Sequence, residues 1–107
     1  MENSYKLILT SISAKDLENI YNYIASNLNS PQSAFNLNKK FFNALERICD
    51  MPNSCPVIEN SFVKVDGVRK LIVDNYIILY VPNHDKKEII VYRVIYGAQN
   101  YINAIWF

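Results

Sequence analysis

The sequence predicts an α+β fold: a helical hairpin packed on a mainly antiparallel sheet of about four strands, with a short helix at the C-terminal end. Three observations predict it. Two stretches in the first half carry apolar residues at helical spacing, separated by Asn29-Ser30-Pro31. Three strand-like runs crowd the second half, joined by short polar turns. One strand-like stretch precedes the helices and an apolar tail follows the strands, so the order is β-αα-βββ-α. Helices and strands segregated in this way form α+β domains, not alternating parallel units. The 107 residues read as one domain, 1–107, long enough to bury a single core without staples.

Tyr5-Lys6-Leu7-Ile8-Leu9 reads as the first strand. Ser13, three residues before Asp16, approximates a capping box at the start of the first helix. Leu17, Ile20, Tyr21, Ile24 and Leu28 then recur on one stripe, with Lys15, Asp16, Glu18, Asn19 and Asn22 on the other side. Ser30 suits an N-cap and Pro31 the first turn of a second helix. Its stripe is Ala34, Leu37, Phe41, Ala44, Leu45 and Ile48, and it ends before Pro52. Helices joined this tightly lie antiparallel.

Residues 51–59, with two prolines, read as loop, and strands are expected at 68–73, 76–81 and 89–96. Asp74-Asn75 is a two-residue hairpin turn of residues that tolerate positive φ. That turn makes opposing residue numbers sum to a constant. Arg69, Leu71, Val73, Tyr76, Ile78 and Tyr80 then share one face, and Val68, Lys70, Ile72, Ile77, Leu79 and Val81 the other. Both faces are largely apolar, whereas an antiparallel sheet with one wet face alternates. The helices can cover one. The other needs the tail with Tyr101, Ile105 and Trp106, a second copy of the chain, or a partner protein.

Composition narrows the function classes. With 11 Lys+Arg against 10 Asp+Glu, the chain lacks the basic excess of a protein that binds by neutralising phosphates. Two glycines and no GxGxxG or Walker pattern leave no glycine cradle for a nucleotide. Cys49, Cys55 and the lone His84 do not form a zinc set, so neither metal nor cofactor is expected. The apolar run at the N-terminus is too short for a signal segment or a membrane span. The expected compartment is therefore the cytoplasm, with both thiols reduced.

The run DGVRKLIVDNYIILYVPNHDKKEIIVYRVIYGAQN, residues 66–100, resembles the sheet signature of the RelE/ParE toxin family. The elements are Arg-x-Leu-x-Val, a tight turn, Tyr-x-Ile-x-Tyr, a polar loop and Arg-Val-Ile-Tyr-Gly. Upstream, Ala14, Asp16, Leu17, Ile20, Tyr23-Ile24, Ala34, Leu45 and Pro52 resemble the family's helical hairpin. The resemblance implies the toxin of a type II toxin–antitoxin pair, partnered by a cognate antitoxin. In the RelE-like branch such toxins cut mRNA on the ribosome, using basic side chains of the sheet. In the ParE-like branch they bind DNA gyrase and trap it.

Residue by residue, the nuclease pattern is only partly present. Its first strand lysine matches Lys70, but the next basic positions fall on Ile72, Ile77 and Gln99. The usual ending after the last strand is replaced by Gly97-Ala98-Gln99-Asn100. A scissile phosphate gains charge in the transition state, which isoleucine cannot offset. The catalytic candidates that remain are Arg69, Lys70, Arg93 and Tyr96, with His84 a lesser one. Each arginine also has a structural reading, as a fork holding carbonyls or a carboxylate. Ile72, Ile77, Leu79, Tyr101 and Trp106 are the candidate partner-binding residues. The reading favoured here is a ParE-like gyrase inhibitor. A ribosome-dependent endoribonuclease and a degenerate antitoxin-binding module stay open beside it.

Overall fold

The structure, a computed structural model, describes residues 4–58 and 67–97. Its elements run β1 (Lys6–Leu9), α1 (Ser11–Asn22), a π-helical turn (Tyr23–Asn27), α2 (Pro31–Asp50), β2 (Arg69–Val73), β3 (Tyr76–Asn83) and β4 (Glu88–Tyr96). The strands form one sheet in the order β1-β4-β3-β2, antiparallel except that β1 runs parallel to β4. The expected α+β architecture is therefore present, with a mixed sheet. The expected C-terminal helix falls in residues 98–107, outside the described residues.

α2 follows its apolar stripe: Ala34, Leu37, Phe41, Ala44, Leu45 and Ile48 are all buried. All but Ala34 join one core cluster with Val73, Ile78, Tyr80, Ile89, Val91 and Val94 of the sheet and Leu17 of α1. The hairpin register is the expected one, Arg69 opposite Tyr80 and Val73 opposite Tyr76. Within the turn only Asp74 takes a positive φ, of 52°. On the opposite face Ile58, Val68, Ile77 and Leu79 form a second, smaller buried cluster, with Val81 and Ile95 packed against it. Ile58 reaches this face because its amide bonds to the Val68 carbonyl at 2.8 Å, beside the bridge from Val57 to Arg69.

Two features of the helical hairpin depart from the sequence reading. The N-cap of α1 is Thr10, whose hydroxyl accepts from the Ser13 amide at 3.1 Å. Asp16 is thereby released from capping. Leu28, expected on the core stripe, is instead about half exposed (55%). The π turn lengthens the helical repeat between them, closed by Leu28 N–H to the Tyr23 carbonyl at 3.1 Å. One extra residue per turn rotates everything after it by roughly 100°. Asn29 ends the segment in the left-handed region (φ 52°), as helix ends often do.

The segment between α2 and β2 is pinned from the sheet. Tyr80, fully buried, donates its hydroxyl to the Pro52 carbonyl at 3.1 Å. Burial pushes the phenol well above its ordinary range, and the hydrogen bonding and charge of nearby Cys55 add to this. Cys49 is buried and free, its thiol pushed up by burial and then by Asp50 and Glu46.

Two outcomes follow. Phe41→Ala, which empties a fully buried ring site, should cost about 3–5 kcal/mol in urea unfolding. The raised Tyr80 phenol makes the native state hold its proton more tightly than the unfolded chain. Its stabilisation is complete below pH 10 and declines as pH rises above that. Tyr80→Phe should cost about 1 kcal/mol at neutral pH and flatten the alkaline decline in melting temperature, leaving the part due to Tyr76 and Cys49.

Candidate functional site

The two strand arginines are engaged with the protein itself. Arg69 donates through one guanidinium nitrogen to the carbonyls of Cys55 and, at 3.3 Å, Asn53. It thus braces the same segment that Tyr80 holds. A planar fork that always carries charge suits this task, because it satisfies several carbonyls at once.

Arg93 sits beside an irregularity in β4. Leu79 pairs with Arg93 but Tyr80 pairs with Val91, so Tyr92 is an extra residue, a β-bulge. The bulge breaks the alternation of β4. Ile89 and Val91 face the helices, and after it Val94 does so too, while Arg93 falls opposite Leu79 on the other face. β1 covers the edge of β4 only as far as Val91, and beyond that point Asp16 takes its place. One carboxylate oxygen accepts from Arg93 Nε at 2.8 Å and from the Val94 amide at 3.0 Å; the other accepts from Arg93 Nη2 at 3.1 Å. The pair is largely withdrawn from solvent, and the hydrogen bonds to Asp16 raise the Arg93 pKa further. The Thr10 hydroxyl completes the arrangement by donating to the Tyr92 carbonyl at 3.2 Å.

The remaining predicted residues divide by exposure. Lys70 is half-buried opposite Leu79 in β2. Ile77 and Leu79 are buried in the second cluster, so of the three sheet isoleucine and leucine candidates only Ile72 offers open surface, at 60% exposure. Tyr96 is the most exposed large side chain at the sheet end, at 67%. Tyr101 and Trp106 lie outside the described residues. His84 stands in the turn ahead of β4, its Nδ1 2.7 Å from the Tyr5 hydroxyl, at the far end of that strand from Tyr96. Lys70 on β2 and Arg93 on β4 flank Leu79 in one cross-strand row, while Arg69 pairs with Tyr80 and His84 and Tyr96 stand at opposite ends of β4.

It does assemble a surface that the sequence reading missed. A groove of about 610 Å³ lies between the helical hairpin and the sheet, lined by Ile20, Tyr23, Ile24, Leu28, Tyr76 and Tyr96, with Asn19 on its rim. Tyr76 is the hinge of this surface. Its ring meets Phe41 of the core edge-on at 5.4 Å and Tyr96 at 5.2 Å. Burial, then the phenols of Tyr96 and Tyr23, push its pKa up. A smaller depression beside the β2–β3 turn shares Tyr76 and Tyr96 and extends the surface to Ile72. The signal available in the sequence was the aromatic pair Tyr76 and Tyr96 at the ends of two strands. Their meeting with Tyr23 and Leu28 depends on the π turn.

Among the described residues no group of three His, Cys, Asp or Glu side chains could hold a metal ion, and no helix is long and apolar enough to cross a membrane. A groove of apolar and aromatic side chains with few polar groups binds by burial and shape.

Residues 7–101 match the family model described as the ParE toxin of the type II toxin–antitoxin system parDE. No curated protein sequence matches the chain. The fold is similar to solved structures from toxin–antitoxin systems. A chain of the chromosomal ParDE system of P. aeruginosa aligns with TM-score 0.70 and 21% identity, covering 89% of this chain and 98% of that one. A chain of a RelBE toxin–antitoxin complex from Mycobacterium tuberculosis aligns with TM-score 0.59 and 14% identity, covering 87% and 98%. A doubly substituted E. coli RelE in the free state aligns with TM-score 0.56 and 13% identity, covering 95% and 93%.

The geometry around Asp16 makes a specific demand. Asp16→Ala leaves both the Arg93 guanidinium and the Val94 amide without their acceptor, and should lower unfolding stability by about 2–4 kcal/mol in urea titration. Arg93→Ala should cost a comparable ~2–4 kcal/mol, because it leaves the largely buried Asp16 carboxylate without its counter-charge although the Val94 bond survives. If Asp16→Ala melts like the parent, the carboxylate does not brace this edge.

Proposed function

This chain belongs to the ParE toxin family of type II toxin–antitoxin systems, and from that premise we propose that it halts growth by binding DNA gyrase and is neutralised by a cognate antitoxin. The observation that carries the choice of a protein target is the disposition of charge. Arg69 and Arg93 are turned to bracing work inside the chain, and the groove between the helical hairpin and the sheet end is lined mainly by aromatic and apolar side chains. Ribonucleolytic cleavage needs preorganised cations aimed at the charge that develops on the phosphate. Ile72 and Ile77 occupy positions where the resemblance to nucleases of the family would require them.

A ParE-type mechanism asks for less. Trapping a gyrase complex is differential binding to one state of the target, and burial of aromatic and aliphatic anchors can supply it. Tyr96 and Ile72, both well exposed, are the anchors nominated here, and the same apolar surface suits the antitoxin.

The test is induction of the chain in a growing bacterium, alone and with the small protein encoded beside it, followed by assays on purified components. Growth arrest relieved by the neighbour, with inhibition of gyrase supercoiling in vitro, is the expected result. Transcript 5′ ends that appear at codon positions on induction would replace the gyrase reading with a ribosome-dependent endoribonuclease. Undisturbed growth with soluble protein present would reduce the chain to an antitoxin-binding module.

A further inference from the structure

The two edges of the sheet are finished differently. The outer edge of β2 is bridged by the segment after α2, through Val57 to Arg69 and the Ile58 amide to the Val68 carbonyl. β1 forms the other edge. Its Lys6 and Thr10 amides donate to the Lys87 and Val91 carbonyls at 2.8 and 3.1 Å. By the alternation of a strand, Leu7 then turns its N–H and C=O away from β4. No hydrogen bond to those two groups occurs among the described residues.

An open depression of about 330 Å³ lies beside that edge, lined by Ser4, Tyr5, Leu7, Glu46, Cys49 and Asp50. One hydrogen bond forms it: the Tyr5 amide donates to the Cys49 carbonyl at 2.8 Å and moors the start of β1 to the last turn of α2. Glu46, Cys49 and Asp50 share a helix face by their spacing. Both carboxylates are exposed, and neither is in an ion pair among the described residues. Cys49 is free and only 7% exposed. Burial first, then Asp50 and Glu46, push its thiol up, so the field of both carboxylates reaches the depression. The negative pole of α2 adds to that field. Lys6 and Arg47, the neighbouring cations in the chain, do not line it. Lys6 alternates to the other face of β1, and Arg47 is turned a helix position away from Glu46.

We propose that the β1 edge and this depression are a docking surface for an extended basic segment of a partner protein. The segment lies along β1 as an added strand and sets one lysine or arginine side chain between Glu46 and Asp50. Each part supplies what the other lacks. Pairing with an edge strand uses backbone groups and is indifferent to sequence, whereas a pocket beside it selects the side chain. β1 is only 4 residues long, so the ladder is short and the charge-assisted contact decides affinity. An acidic side chain would meet two carboxylates and a helix C-terminus, and is rejected. The surface is remote from the aromatic groove, because Leu7 pairs with Ile89 near the start of β4 and Tyr96 ends that strand. It does not depend on which target the chain inhibits.

The test uses the whole purified chain and short capped peptides as probes: alternating Val and Arg, alternating Val and Glu, and the Val-Arg peptide N-methylated at alternate amides. In an amide-resolved NMR titration the Val-Arg peptide should shift the Leu7 amide and bind at least ~10-fold more tightly than the Val-Glu peptide. Glu46→Gln combined with Asp50→Asn, both at exposed positions, should remove that preference while melting as the parent does. The N-methylated peptide keeps the charge but cannot complete the ladder, and should lose the Leu7 shift. Equal binding of the Arg and Glu peptides, undiminished binding of the N-methylated one, or shifts centred on Tyr96 in place of Leu7 would each overturn the assignment. Those results leave the growth-arrest reading standing, since they concern the opposite end of the sheet.

Discussion

One carboxylate ties the two halves of the molecule together. Asp16, on the first helix, accepts three hydrogen bonds at the point where β4 outruns its neighbour β1. An uncovered strand edge presents backbone amides that must find partners or water. Here a helix side chain provides the acceptor, and the arginine beside it neutralises the charge that this brings into a half-buried site. Charge-assisted hydrogen bonds of this kind are stronger than neutral ones and more directional. They therefore fix where α1 lies along the sheet as well as how strongly it is held.

The bulge at Tyr92 and the cap at Thr10 belong to the same device. The extra residue turns Val94 toward the helices and pairs Arg93 with Leu79, from where its guanidinium reaches Asp16 at the strand edge. The Thr10 hydroxyl serves two ends at once, accepting from the helix start and donating to the bulged carbonyl. Strand irregularity, helix start and ion pair thus satisfy one another's polar groups. Because α1 is fixed there, the path of its far end is fixed too, and that end forms one wall of the groove.

The division of labour among polar and apolar groups follows from this. Arg69 and Tyr80 hold the segment after α2 against the sheet, and Arg93 holds α1. Both strand arginines are thus employed in bracing carbonyls and a carboxylate. The large hydrophobic side chains that reach solvent at the sheet end are Tyr96, Ile72, Tyr23 and Leu28, beside the exposed Lys40–Asp74 pair. Such a surface favours a protein partner on general grounds, since burial of aromatic and aliphatic groups is what most interfaces use at their centres.

The sequence by itself determined the class of fold, the α2 stripe, the β2–β3 register and the two apolar faces that follow from it. Each rests on a local rule: helical spacing, a two-residue turn, or the alternation of a pleated strand. It also named Ile72 as a partner-binding candidate and Tyr96 as a catalytic one, and both side chains are exposed. Only the tertiary structure decided that Asp16 serves Arg93, 77 residues away, in preference to its own helix start. It alone decided that β1 joins β4 in parallel, and that Ile77 and Leu79 are buried while Tyr23, Leu28, Tyr76 and Tyr96 meet. Those outcomes depend on which elements become neighbours in space. Long-range contacts choose among several locally acceptable arrangements, and no periodicity in the chain records the choice.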